Sequence, residues 1–252
     1  ITRPRRFGKS LGMSTLANFL DIRKDSKQLF EGLEISKNTE LCEKWMNKCP
    51  VVFFSFKDTD GLTFESAYGM LCMKLAFAFQ DYQFLLDDDA ISDDDKGIFK
   101  RILGRTASMD ETKSCFLLLT RMLEIHFKKS AVVILDEYDV PIAKASSNGY
   151  YSQMLDVMRA MMSTTLKDNT SLDFAVVTGC LKIAKESIFT GTNNFVSDTI
   201  LSPRLSESFG FTQADVDQML KDADLEAQSA EIKAWYDGYH FGDADIYCPW
   251  DV

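Results

Sequence analysis

Histidine is scarce: His126 and His240 are the only two in 252 residues. That leaves His-based metal sites and Ser-His-Asp catalysis with little to draw on. Cysteine occurs, but never as a C-x-x-C pair. Cys42, Cys49, Cys72, Cys115, Cys180 and Cys248 are dispersed, and several lie inside apolar runs. The pattern predicts reduced, mostly buried thiols and argues against a disulfide or zinc framework. No apolar run approaches the ~20 residues a membrane span requires, and nothing resembles a signal peptide, so a cytoplasmic protein without membrane contact is expected. Positive charge is in deficit, with 28 Lys and Arg against 38 Asp and Glu. The formal charge of -10 argues against nucleic-acid binding by the surface as a whole. The chain has no internal repeat or low-complexity linker, and its length suits one large or two modest domains.

What is present starts at once. Gly8-Lys9-Ser10 has the composition of the second half of a phosphate-binding loop. A glycine lets the backbone close on an anion, a lysine reaches the outer phosphates, and a hydroxyl ligates Mg²⁺. The run from Leu11 to Ile22 follows, with apolar residues at Leu11, Met13, Leu16, Phe19 and Leu20. That stripe predicts an amphipathic helix whose N-terminus points its free N–H groups at the loop. In G-x-x-x-x-G-K-[ST] the first glycine falls at position 3, where this chain has Arg3. Taken alone, the motif therefore also fits a basic loop capping an ordinary helix. The chain opens at Ile1, already at the mouth of the loop, so the strand that should deliver it is expected to lie outside this sequence.

Further along, Thr39 to Asn47 has helical spacing, Leu29 to Ile35 reads as a loop or short turn, and Val51 to Phe56 reads as a buried strand. Phe64 to Leu86 is predicted as one long helix, apolar nearly all round. The acidic stretch Asp87 to Lys96 places Lys96 and Ser92 where an EF-hand needs ligands, so a solvated acidic loop is expected there. Helices are predicted over Asp93 to Leu103 and Met109 to Lys129, with Ser108 or Asp110 as caps. The Met-rich helix Tyr151 to Leu166 should be core filler. Leu172 to Thr178 and Thr199 to Leu201 read as strands. Thr212, with Asp215 three residues on, opens another helix by an acidic form of the capping box. The acidic, aromatic stretch Ile232 to Trp250 is expected to form a small packed subdomain.

Ala131-Val132-Val133-Ile134-Leu135-Asp136-Glu137 carries the second signal. Five apolar residues ending in two acids describe a central parallel strand that presents carboxylates at its C-terminal end, where ligands of open α/β sheets bind. In a phosphate-loop protein Asp136 would hold Mg²⁺ through its water shell, and Glu137 would polarise the water attacking the γ-phosphate. Thr178, at the end of the next strand, is a candidate γ-phosphate sensor, or a hydroxyl satisfying a strand-end backbone group.

Several strings then sharpen the reading: the loop from Thr2 to Ser10, Leu135-Asp-Glu-Tyr-Asp139, the stretch Thr178 to Phe189 with Asn193-Asn194, Phe209-Gly-Phe-Thr212 and Trp235 to Gly242. In this order they closely resemble the bacterial AAA-ATPase-like family, whose members often carry a PD-(D/E)XK nuclease-like domain after the ATPase region. The arginine at position 3 fits that family's own version of the loop. The resemblance implies an α/β P-loop NTPase of the additional-strand (ASCE/AAA-like) type: a parallel sheet flanked by helices, its first strand largely missing here. An ATPase core over residues 1–205 would be followed by a helical and aromatic C-terminal subdomain over 206–252, leading to a domain beyond this sequence. It implies ATP and Mg²⁺ as cofactors, Glu137 and Lys9 as catalytic residues, and Ser10 and Asp136 as metal residues. Arg5, Arg6, Phe7, Gly8, Lys9, Ser10 and Leu11 would line the nucleotide with Thr178 and Asn193, and sensor roles would extend to Asn194 or Lys185. DNA would be reached through the downstream domain. The alternative is a nucleotide-gated scaffold that binds ATP with negligible hydrolysis, for which Arg204 is the late candidate arginine finger to test. Arg3, Arg5 and Arg6 could also engage nucleic acid directly, although contact with phosphates or with the sheet edge is the more economical role.

Overall fold

Three apolar runs rich in β-branched and aromatic residues become strands: β1 (Val51–Ser55), β2 (Ala131–Asp136) and β3 (Leu172–Val177). They form one parallel sheet in the order β1-β2-β3. β2 is buried at all six positions, as an unalternating apolar strand covered on both faces should be. The computed structural model describes residues 1–180, 188, 195–236 and 238–252. The chain divides into two compact units, one built mainly on Met13–Val177, the other on Ile1–Gly12, residues 178–180 and Phe195–Val252.

In the larger unit, helices enclose the sheet. In chain order they are α1 (Lys9–Leu20), which begins in the smaller unit, then α2 (Lys27–Phe30), α3 (Thr39–Trp45), α4 (Phe64–Gln80), α5 (Asp93–Leu103), α6 (Met109–Lys113), α7 (Cys115–Phe127), α8 (Val140–Asn148) and α9 (Tyr151–Leu166). α7 packs on β1 and β2, and α9 on β3. Phe116 of α7 lies against Phe54 and Phe56 with ring centroids 5.3 and 6.5 Å apart. Met154, Met158, Met161 and Met162 are all buried, so the methionine stripe of α9 is core, as its sequence predicts.

Several elements of this unit differ from expectation: α8 has no counterpart in the sequence reading, and α2 runs into the stretch from Leu29 expected to be a loop or short turn. The helix predicted over Met109 to Lys129 is broken at Ser114, whose Oγ donates to the carbonyls of Asp110 (2.9 Å) and Glu111 (3.3 Å), a side-chain bond that competes with helical continuation. Ser108 starts α6 with a full capping box to Glu111. The long helix from Phe64 ends at Gln80, because Tyr82 turns inward: its hydroxyl donates to Val51 O at 2.9 Å and the Arg23 guanidinium lies 4.4 Å from its ring. The acidic stretch is not all solvated. Asp95 is buried against Arg121, and Asp88 lies 2.8 Å from His126 Nδ1.

In the smaller unit, helices α10 (Gln213–Asp222) and α11 (Ser229–Tyr236) precede an antiparallel hairpin of β4 (Tyr239–Phe241) and β5 (Ala244–Ile246). Thr212 caps α10 through the box with Asp215 that the sequence predicts. Phe211 and Tyr247 exchange main-chain bonds of 3.1 and 2.8 Å, and Tyr247 closes a cluster with Val216 and Leu220. Thr199 to Leu201 is not a strand. Its polar groups close a local turn instead, with Ser202 N donating to Thr199 O at 3.1 Å and Leu201 N to Thr199 Oγ1 at 3.2 Å. The aromatic stretch packs only in part: Phe241 and Tyr247 are buried, whereas Trp235 and Trp250 are 75% and 70% exposed. All six cysteines are free thiols, three of them buried. No helix among the described residues is long and apolar enough to cross a membrane.

Candidate functional site

The loop before α1 is built in the smaller unit. Thr2 pairs in parallel with Gly179, and Arg3 N donates to Gly179 O at 3.2 Å. Beyond this short ladder the chain turns sharply. Arg6 has φ 71° and Gly8 φ 76°, a left-handed conformation that alternates with ordinary residues and turns successive N–H groups to one side, as in anion-binding nests. At Gly8 a Cβ would meet nothing within 4 Å, so backbone handedness rather than space demands glycine there. Lys9 is buried, and its Nζ donates to the loop's own carbonyls, Arg3 O at 2.9 Å and Pro4 O at 2.7 Å, with Cys180 Sγ at 3.5 Å. These side chains, and the N-terminus of a helix of 12 residues, suit a polyphosphate.

Arg3 stands where a glycine would be expected, and it is 0% exposed. Its Nη1 donates to Thr2 O at 2.9 Å and its Nη2 to Leu205 O at 2.6 Å. The guanidinium lies 5.2 Å from the Phe241 ring centroid and 5.8 Å from that of Phe209. Burial pushes its pKa down, opposed by the charge of Asp198. Arg3 is therefore an internal strut, and burial removes it from the arginines available to nucleic acid or to a sheet edge. Arg5 and Arg6 are exposed, with the Arg6 guanidinium 4.9 Å from the Trp250 ring centroid. Leu11, placed on the apolar stripe by sequence, is 71% exposed. The stripe that α1 buries runs through Met13, Ala17 and Leu20, with Phe19 beside it. Thr178 is fully buried in the same unit. Arg204 is held on Asp198, with Nε donating to Oδ1 at 3.0 Å and Nη2 to Oδ2.

The two acids belong to the larger unit. Asp136 ends β2 opposite Ser55 of β1, and its carbonyl accepts from Phe56 N at 2.9 Å. Glu137 follows with φ 55°. A non-glycine residue in this region costs of order 1–3 kcal/mol and persists only when its surroundings over-determine it, which is common where a side chain must be aimed. Here the surroundings are rigid: β2 precedes Glu137, and α8 follows with Pro141 in its first turn. Sequence reasoning missed one residue of this corner. Lys74 of α4 donates to Lys57 O. Burial lowers its pKa, and the charges of Asp58 and Glu137 oppose that shift. The signal was available, since Lys74 is the one basic residue of α4.

The structure thus brings Arg5, Arg6, Phe7, Gly8, Lys9, Ser10, Leu11 and Thr178 into one unit, and Asp136 and Glu137 into the other. Asn193, Asn194 and Lys185 lie outside the described residues. The donor types fit Mg²⁺, which takes oxygen ligands from one or two protein groups and completes its shell with water and phosphate. Among the described residues no group of three or more His, Cys, Asp or Glu could hold a metal unaided.

Comparison with known proteins agrees with the motifs. An uncharacterized protein in the vnfD 5′ region of Azotobacter chroococcum mcd 1 is 27% identical over 253 aligned residues, covering all of this chain. The chain spans 43% of that relative's length. No solved structure matches. The model of the predicted AAA-ATPase family matches residues 1–189, a span that holds both the loop carrying Lys9 and the strand carrying Asp136, and the chain belongs to that family.

Proposed function

We propose that this chain is an Mg²⁺-dependent P-loop ATPase module of the additional-strand class that works as a conformational switch, coupled to a nuclease-like domain further along the full-length protein. In this reading residues 1–205 carry the ATPase chemistry and 206–252 form a C-terminal subdomain. The main-chain N–H groups from Arg5 to Leu11 take the phosphates, Lys9 neutralises the outer ones, and Ser10 and Asp136 hold the metal. Thr178 and Asn193 respond to the γ-phosphate. Glu137 orients and polarises the attacking water. When bound, Mg²⁺ would neutralise charge on the phosphoryl oxygens.

The observation that carries the reading is the loop itself. Left-handed residues at 6 and 8 lead straight into a helix whose first residue is a buried lysine, and Glu137 supports it from the other motif with its own left-handed φ. The test is ATP turnover by the full-length protein. Phosphate release should fall steeply in Lys9→Ala and in Glu137→Gln, and turnover unaffected by both substitutions rules the reading out.

One observation favours the scaffold alternative. Arg204, the late arginine-finger candidate, has its guanidinium committed to Asp198. Tight ATP binding without phosphate release, even with DNA present, would decide for a nucleotide-gated scaffold.

A further inference from the structure

A backbone with two left-handed residues in three positions holds its shape only if its neighbours enforce it. The neighbours here come from the far end of the chain. Phe7, at the centre of the loop, is buried in a cluster with Phe241, Ile246 and Cys248, against which Phe209 also packs. Its ring centroid lies 5.0 Å from that of Phe241 and 4.8 Å from that of Tyr239. The same Phe241 ring lies under the Arg3 guanidinium, at the start of the loop. Phe209 lies 5.8 Å from the Arg3 guanidinium, and a methyl group on Gly12, in the first turn of α1, would sit 3.3 Å from Phe209 Cε1. Two rings therefore touch the loop before, within and after its turn.

We propose that Phe209 and Phe241 are positioning residues for nucleoside triphosphate binding. Acting through Arg3, Phe7 and Gly12, they hold the loop's N–H groups in the arrangement a polyphosphate needs. The proposal rests on the phosphate-loop reading and extends it to residues outside the family match, which ends at 189. The chemistry is indirect. Aromatic contacts of this kind stabilise beyond burial and are directional, so losing one lets Phe7 and the N–H groups beside it drift.

The experiment is calorimetric titration of the full-length protein with ATP and Mg²⁺, reading affinity and stoichiometry separately. Lys9→Ala should abolish measurable binding. Phe241→Ala should raise Kd about ten-fold or more at full stoichiometry, since sub-ångström placement of phosphate donors governs polyphosphate binding. Phe241→Leu, which keeps apolar volume, should recover part of the loss. If Phe241→Ala fails to fold, Phe241→Leu and Phe209→Leu are judged by the same criterion, each with raised Kd at full stoichiometry. Reduced stoichiometry with an unchanged Kd would mean that the rings only maintain the fold, and would overturn the proposal. Wild-type affinity in the phenylalanine variants, with Lys9→Ala inactive in binding, would overturn it while leaving the phosphate-loop reading intact. Wild-type affinity in Lys9→Ala would remove both.

Discussion

Asp136 reaches its place on a ladder of main-chain bonds, the loop that leads to Lys9 on a bed of aromatic rings. β2 is hydrogen-bonded to strands on both sides and buried along its whole length, so the position of its C-terminal acid is set by backbone geometry that any apolar side chain of suitable size preserves. Among the described residues, the loop has a ladder only at Thr2 and Arg3. From there its path is fixed by which side chains cover it: Phe7 in a ring cluster, Arg3 against Phe209 and Phe241, and Lys9 folded onto the carbonyls it has just left. On the reading proposed above, a ladder tolerates substitution and transmits little to its end, whereas a bed of rings would convert a side-chain change into a shift of the loop backbone proposed to bind the nucleotide.

The most severe way to separate the two regions is Glu137→Gln. ATP hydrolysis should drop by about 10²–10⁴-fold, the range for removing a general base, while ATP affinity measured by titration stays at the wild-type value. Lost affinity would show that the acid also supports the binding region. Next in size is Ile134→Ala, a fully buried position in β2. It should lower the unfolding free energy by about 2–5 kcal/mol in urea titration, yet leave Kd for ATP unchanged in the fraction that remains folded. That is the reverse of the pattern expected for Phe241. Equal effects of both substitutions on Kd would erase the distinction between ladder and rings.

Smaller effects compare the two units at matched features. Ser108→Ala and Thr212→Ala each remove a complete capping box, and each should cost about 1 kcal/mol by chemical denaturation. The smallest concerns pH. His240 Nδ1 lies 2.7 Å from Asp245 Oδ1 across the β4–β5 hairpin, and the carboxylate raises the imidazole pKa above its usual 6.5. Because the folded value is the higher one, the pair's contribution is complete below the unfolded pKa and is lost as pH rises through the folded value. The urea midpoint should therefore be slightly higher at about pH 5.5 than at about pH 8.5, and His240→Asn should flatten that part of the difference.

Much of the ladder region was legible in the sequence. Ala131 to Asp136 reads as a buried strand because nothing in it alternates. Asp93 to Leu103 and Tyr151 to Leu166 have the predicted ends, the first marked by the Ser92 cap and three acids in its opening turn. Where reading failed, a side chain redirected the backbone in a way no periodicity records. Ser114 breaks a helix by bonding backwards, and Tyr82 ends another by reaching for Val51. The ring bed was barely legible. Gly8-Lys9-Ser10 announces a loop, but Arg3 looks like a defect in the motif until Phe209 and Phe241 are seen against its guanidinium, more than 200 residues away in sequence. Leu11 shows the converse error: it fits an apolar stripe by spacing and faces solvent.

The position of Phe241 has a practical side. The family match stops at residue 189, and a polypeptide trimmed to that limit would keep the loop carrying Lys9 and the strand carrying Asp136. It would also strip the cover from a guanidinium and a phenyl ring that are at most 1% exposed in the whole chain, leaving a sticky, cationic face beside the loop. Minimal fragments chosen by homology alone should precipitate or bind anions indiscriminately, and the shortest well-behaved piece should run at least to Cys248.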